Sequence, residues 1–272
     1  MEKKLKILYK LILVFFFFLI YGKIKKNEKN LINYSKINSY NFKKKKYKVY
    51  EISNGRVYTN NVDQCAYISN NFLLSEPSYQ YFQSRNQKID RNEVLKFGTP
   101  KILKKINSRL FSLLSGGAAN NNYGHWFWDV LPKIYLIKKF YKITKKDFFL
   151  VPSLKYSYQK KTLNYLNINK YQLISAEDYK HIGAKKLICT SHVSNHHPEK
   201  IPFWSLNYIR KTFLKKKFFF PKKYENLIYL DRDEFKHLNK NYLIKYKNLR
   251  TLVNEDEVKK FLLYKGFQII KP

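Results

Sequence analysis

The chain has 272 residues, 44% of them hydrophobic and 18% aromatic, enough apolar material for one large domain or two modest ones and too much for a disordered tail. Its 54 Lys and Arg against 19 Asp and Glu give a formal charge of +35, a balance that points toward nucleic acid, an anionic membrane surface or an acidic polymer. The lysines are spread along the whole chain, beside heavy use of Asn, Ile, Tyr and Phe as AT-rich coding imposes, and no Gly- or Arg-rich segment or zinc-ligand spacing accompanies them, so nucleic acid is not an expected partner.

The first expected element is an N-terminal membrane anchor over residues 1–24. Residues 11–21 carry no charge, and lysines flank them on both sides. A spanning helix needs about 20 mostly apolar residues, so residues 5–24 would span only if Lys6 and Lys10 snorkel to the interface. No small-x-small cleavage site follows, which favours an uncleaved anchor, spanning or interfacial, of undecided orientation. Residues 25–46 are basic and polar and read as a linker. An N-terminal domain is expected over 47–222 and the start of a second over 223–272.

Within the first domain, 47–58 and 64–74 read as short strands, with Asn54-Gly55 as a hairpin signal. Residues 130–142 are amphipathic at helical spacing, with Ile134, Ile137 and Tyr141 facing inward. A buried strand at 148–151, a helix at 160–166, short strands at 172–174 and 186–189, and a helix at 203–213 follow. In the last fifty residues, 226–230 is a strand, Asn254 caps a helix from Glu255 to about Tyr264, Gly266 stops it, and 267–270 is the next strand. Strands alternating with helices argue for an α/β layer fold. A βαβ start with nothing after it cannot cover a parallel sheet, so 223–272 is expected to open a domain whose remainder is missing.

Cys65 and Cys189 are the only cysteines, far apart and without metal-ligand spacing, and read as free buried thiols. His192, His196 and His197 cluster near Pro198, but with Glu199 as the sole fitting carboxylate a solvated loop is the better account.

The richest chemistry lies in Asn122-Tyr123-Gly124-His125-Trp126-Phe127-Trp128-Asp129-Val130-Leu131-Pro132. Gly116 to Asn121 just before it favour a tight turn. On a helix, His125 and Asp129 share a face, and an imidazole with a carboxylate can be held toward one substrate hydroxyl. The competing reading makes Trp126 and Trp128 core anchors, His125 a satisfied buried histidine and Asp129 a cap or surface carboxylate.

This run resembles the Asn-Tyr-x-His-Trp-x-x-Asp-x-Leu-Pro signature of glycosyltransferase family 61. A second block is similar to the family in the same order: Ile228-Tyr229-Leu230-Asp231-Arg232, then Arg250 to Val258 with Asn254-Glu255, then Lys265-Gly266-Phe267. The resemblance implies an α/β, GT-B-like enzyme, with a Rossmann-like acceptor-side domain and a second nucleotide-binding domain that is incomplete here, since the family's His-Gly-Ala-Gly turn is lacking. It implies transfer of a sugar from a nucleotide-sugar donor to a polysaccharide or glycoconjugate acceptor, with inversion and without a metal or other cofactor. A partner chain completing the donor domain is one expectation that follows.

The family pattern puts Asp129 as base or acceptor-orienting carboxylate and His125 as its hydrogen-bonding neighbour or the alternative base. Asn122, Tyr123 and Trp126 shape the acceptor side, and Arg232, Asn254 and Glu255 face the donor, Arg232 suiting a bidentate contact to a diphosphate. For Arg232 an interdomain salt bridge competes, and for Asn254 and Glu255 an N-cap with a first-turn acid. Asp231-Arg232-Asp233 also has the Asp-x-Asp form that holds a cation in the other large transferase fold. The rival functions are an inactive remnant or acceptor-binding fragment, and a basic nucleic-acid or membrane-surface binder.

Overall fold

Alternating side chains on a few apolar strands build one mixed sheet with a core on each face. The computed structural model describes residues 2–26, 36–60, 64–80, 92–115, 122–194, 201–214, 227–231 and 254–270. The chain divides into two compact units, Met1–Phe213 and Leu214–Pro272.

The first unit carries β1 (Lys25–Lys26), β2 (Lys36–Phe42), β3 (Lys45–Thr59), β4 (Gln64–Ser69), β5 (Phe72–Leu73), β6 (Tyr79–Gln80), β7 (Lys104–Ser112), β8 (Phe148–Val151), β9 (Leu173–Ser175) and β10 (His181–Thr190). Their order is β1-β5-β4-β3-β10-β7-β8-β9, with β2 added to β3 and β6 to β4. β10, β7, β8 and β9 are parallel neighbours, whereas β10, β3, β4 and β5 are joined antiparallel. The architecture is therefore mixed α/β, with a parallel half and an antiparallel half.

Period-two alternation divides the core. Leu110, Leu150 and Leu187 face one side with Tyr50, Ile52 and Tyr67. Phe111, Phe149 and Ile188 face the other with Val49, and there they are covered by α4 (Leu131–Phe140) and α6 (Phe203–Phe213). Full burial of each such side chain contributes about 1.5–3 kcal/mol.

Several local features differ from the sequence expectation. Asn54-Gly55 does not close a hairpin: β3 runs through it with Asn54 at φ 51 and keeps one register with β10 on either side, Gly55 opposite Ala184 and Ser53 opposite Lys186, while the register shift at this level lies between β10 and β7. A Cβ on Gly55 would come within 2.8 Å of Ile52 Cγ2, which explains glycine at this point. The hairpin instead falls at Asn70-Asn71, both with positive φ, joining β4 to β5 as a two-residue turn. β2 pairs with β3 from Lys36 onward, inside the stretch read as a linker, and β7 was not anticipated.

The N-terminal helix α1 (Glu2–Tyr21) corrects the spanning form of the anchor. Among the described residues no helix is long and apolar enough to cross a membrane. The lysines at positions 3, 4, 6 and 10 leave only the last eleven residues of α1 without charge. Its C-terminal half docks on the first unit, where Val14 is buried and the Tyr21 hydroxyl accepts the Leu103 N–H at 2.9 Å.

In the second unit, β11 (Ile228–Leu230) pairs in parallel with β12 (Gln268–Ile270), and α7 (Glu255–Tyr264) links them. Gly266 at φ 79 ends α7, with its N–H on Leu263 O and the next on Leu262 O.

Candidate active site

From β7 the chain moves outward to β8 and β9, then returns across the sheet to β10 on the other side of β7. The crevice between the C-terminal ends of β7 and β10 is thus a topological switch point, the place where open parallel sheets bind ligands. Residues 113–115 leave β7 there, residues 191–194 leave β10 there, and the His125 to Asp129 helix lies over both.

That helix is irregular for a reason written in its sequence. The Asn122 side chain accepts the His125 N–H at 3.1 Å and so caps the short α3 (Tyr123–His125). Pro132 has no N–H to offer Trp128, and the turn relaxes into a π-helical segment, Trp126–Val130, in which the Leu131 N–H reaches Trp126 O. The Trp126 indole N–H donates to Thr162 Oγ1 at 3.0 Å and its ring is wholly buried, locking the segment's rotation.

The outcome is a dyad. His125 Nδ1 lies 2.7 Å from Asp129 Oδ2. The Asp129 side chain is only 3% exposed and the His125 side chain 20%, so the carboxylate is sealed behind the ring. Ser194 donates its hydroxyl to Asp129 Oδ1, and Ser115 Oγ donates to the Asp129 backbone carbonyl at 3.1 Å. One turn further, Lys133 is fully buried and its ammonium donates to Leu114 O. Burial lowers the Lys133 pKa, and the nearby Cys65, Cys189 and Asp129 oppose that shift. The two cysteines are free and buried; burial pushes the Cys65 thiol up to about 11 and Cys189 higher still.

A carboxylate fixed by a hydroxyl on one oxygen and meeting an imidazole nitrogen on the other sets the orientation and tautomer of that imidazole. Beside the dyad, Tyr123 is largely exposed and packs against Phe127 and Tyr158, with ring centroids at 4.7 and 4.9 Å; Tyr156 stacks on Tyr158 at 5.6 Å.

The structure thus brings His125, Asp129, Asn122 and Tyr123 together. It removes Trp126 from the acceptor side, because a ring with no exposed surface touches no sugar. Ser194, Ser115 and Lys133 were not foreseen. Lys133 stands four residues after Asp129, and the spacing that picked out the dyad also marks it; Ser194 carries no comparable signal.

Among the donor-side residues, Arg232 lies outside the described residues, as do residues 116–121, Asp233, His196 and His197. Asn254 begins α7 without a side-chain cap, its amide reaching Glu257 at 3.5 Å. Glu255 is buried and accepts from the Tyr229 hydroxyl at 3.3 Å. Asp231 is buried and paired with Lys259 at 2.8 Å. His192 Nε2 is 3.2 Å from Ser78 O and its ring packs on Tyr79, and among the described residues no three His, Cys, Asp or Glu side chains come together as metal ligands.

A mixed α/β sheet with a His-carboxylate pair at its switch point is an arrangement suited to an enzyme. A family model, Glycosyltransferase 61, matches residues 123–272, more than half of the chain and the whole of this helix. The chain belongs to glycosyltransferase family 61 and is a glycosyltransferase. No curated protein and no solved structure matches it.

Proposed function

We propose that the protein transfers a glycosyl group from a nucleotide-sugar to a hydroxyl of a polysaccharide or glycoconjugate, with inversion and without a metal, and that His125 is the base. The observation that carries this reading is the order of exposure in the dyad: Asp129 is sealed by Ser194 and His125, whereas the imidazole stands at the opening. Nε2 of His125 takes the acceptor proton as the acceptor oxygen attacks the anomeric carbon. The bond from that carbon to the diphosphate oxygen breaks, and the nucleoside diphosphate leaves with the electron pair. Asp129 orients the ring and balances the charge it gains. Tyr123 offers a face for an acceptor sugar ring.

The donor belongs to the second unit, in a GT-B-like arrangement of two Rossmann-like domains, with Arg232 on the diphosphate. The pairing of Asp231 with Lys259 supports a metal-independent reaction, since a cation at an Asp-x-Asp site would have to displace that ammonium. The test is nucleoside diphosphate release by the purified chain from a panel of UDP-, GDP- and dTDP-sugars with oligosaccharide acceptors, with and without chelator. Chelator-resistant release that His125→Ala abolishes is expected. Release unaffected by His125→Ala would remove His125 as the base.

A further inference from the structure

The end of the sheet away from the dyad has a composition that sugar transfer does not use. α1 presses Val14, Phe18 and Tyr21 onto the first unit; Phe18 sits so close to Gly98 that a Cβ there would meet its ring at 2.5 Å. The opposite face of α1 is apolar as well. Leu8, Ile12, Phe15, Phe16 and Leu19 are each more than half exposed. On a helical wheel they form one continuous stripe. Nothing polar interrupts it after Lys10, and a contiguous exposed apolar stripe of this kind marks an interaction surface.

Along one flank of that stripe runs a cleft of about 530 Å³ between Leu13 and Phe17 of α1 and the segment entering β7. Its floor is apolar, with Pro100 and Leu103, and Ile102 at its rim is 82% exposed. The rim carries Lys101, Lys104 and Lys180 against one carboxylate, Asp178. Exposed Lys23, Lys25 and Lys26 follow α1 directly. An apolar stripe bordered by lysines is complementary to one surface chemistry, acyl chains beneath anionic phosphate.

We propose that α1 lies flat in the interface of an anionic phospholipid bilayer, its outer stripe among the acyl chains and Lys101, Lys104 and Lys180 on the headgroup phosphates. This placement also sets the reach of the enzyme. Tyr21 packs on His181 at the start of β10, while Ser194, just past the end of β10, holds Asp129. A strand of this length spans about 30 Å, so the dyad opens well away from the bilayer and its acceptor hydroxyl lies out in the aqueous phase.

The experiment is co-sedimentation of the full chain with phosphatidylcholine vesicles and with vesicles enriched in phosphatidylglycerol, using wild type, Phe15→Asp/Leu19→Asp and Lys101→Glu/Lys104→Glu/Lys180→Glu. Wild type is expected on the anionic vesicles, at least tenfold more weakly on the neutral ones, and to be released by alkaline carbonate. Each variant is expected to lose at least tenfold in binding with its circular dichroism unchanged. A Phe16→Trp reporter, quenched by brominated acyl chains, reads insertion without disturbing the fold. Absence of binding to either vesicle, retention through carbonate as a spanning segment, or an unquenched reporter in a dimer that Phe15→Asp/Leu19→Asp dissociates would each overturn the proposal.

Discussion

His125 and Asp129 meet across a single helical turn at 2.7 Å, and the carboxylate side of that contact is closed to solvent while the imidazole side is open. General acid–base groups contribute about 10²–10⁴-fold to rate, so His125→Ala is expected to lower kcat by that order with little change in KM. Asp129→Asn keeps the shape but turns the tautomer, and its loss should approach that of His125→Ala. The double variant should be no worse than the poorer single one, because the two act as a unit. Steady-state kinetics on the three variants check this, and additive losses would separate the roles.

Lys133 anchors the floor of the same site, its ammonium on Leu114 O beneath Ser115 and Asp129. Burial holds its pKa below 10.5. Between that lowered value and 10.5 the unfolded chain carries a proton that the folded chain lacks, so wild-type stability rises with pH across this window. Lys133→Met abolishes that rise. It also removes one of the two donors to the Leu114 carbonyl, which keeps the Tyr67 hydroxyl at 3.3 Å, at a cost of about 1 kcal/mol near neutrality. Urea unfolding of both proteins at neutral and at alkaline pH measures the difference, and parallel pH dependences would contradict it.

How much of this was legible in sequence depends on how local each determinant is. The strand Phe148–Val151 and the helix Phe203–Phe213 were readable to the residue, because a bounded apolar run and an amphipathic stretch carry their own signal. β7 was not, since Lys104 to Arg109 lie at the exposed end of the sheet and alternate poorly. Asn54-Gly55 misleads because the positive φ of Asn54 that suits a hairpin turn also fits inside a continuous strand, and only the unbroken register with β10 distinguishes them. The dyad was visible through its spacing on one helix. Ser194 was not, for it reaches Asp129 across 65 residues of chain. Trp126 was assigned to substrate because a motif does not say which of two tryptophans points inward.

His181, packed against Tyr21 of α1, is expected to make the stability of the fold sensitive to acid. Its ring is buried edge-on to Tyr21 and Tyr58, at 4.9 and 5.9 Å, and Nδ1–H donates to Lys101 O at 2.9 Å. Nε2 is buried without a hydrogen-bond partner among the described residues. Burial drives its pKa from 6.5 down to about 4; the Lys101 carbonyl opposes the shift and Arg56 adds to it. Above 6.5 the ring is neutral in both states. As pH falls from 6.5 toward 4 the unfolded chain gains a proton that the folded chain refuses, and stability is lost, on the order of 3 kcal/mol over the window. His181→Phe keeps the ring packing and cannot titrate. Denaturant unfolding at pH 7 and near pH 4.5 should therefore show a smaller acid loss for the variant, and equal losses would clear His181 of the effect.

Arg109 and Asp147 tie the parallel half of the sheet together from the far side of the core. Asp147 is buried and accepts Arg109 Nε–H at 2.8 Å and an Nη2–H at 2.6 Å, the Thr144 N–H at 2.6 Å and the Thr144 hydroxyl at 3.0 Å. Burial alone would raise its pKa, but Arg109 and Thr144 together outweigh that and hold the carboxyl below 3.8. The stabilisation is therefore present above 3.8 and is lost as pH falls through the lower folded value. A fully buried ion pair broken on one side costs about 3–5 kcal/mol; the Arg109 side chain keeps some contact with water, so Asp147→Asn is expected to cost about 2–3 kcal/mol at neutral pH. Arg109→Lys should cost nearly as much, since an ammonium cannot make the forked contact and would also leave Lys142 O, which Arg109 now satisfies at 2.7 Å. Neither residue touches the dyad, so both variants should lower the unfolding midpoint in urea while keeping wild-type kcat at a temperature where they remain folded. A stable Asp147→Asn protein would mean that this fork contributes geometry but little free energy.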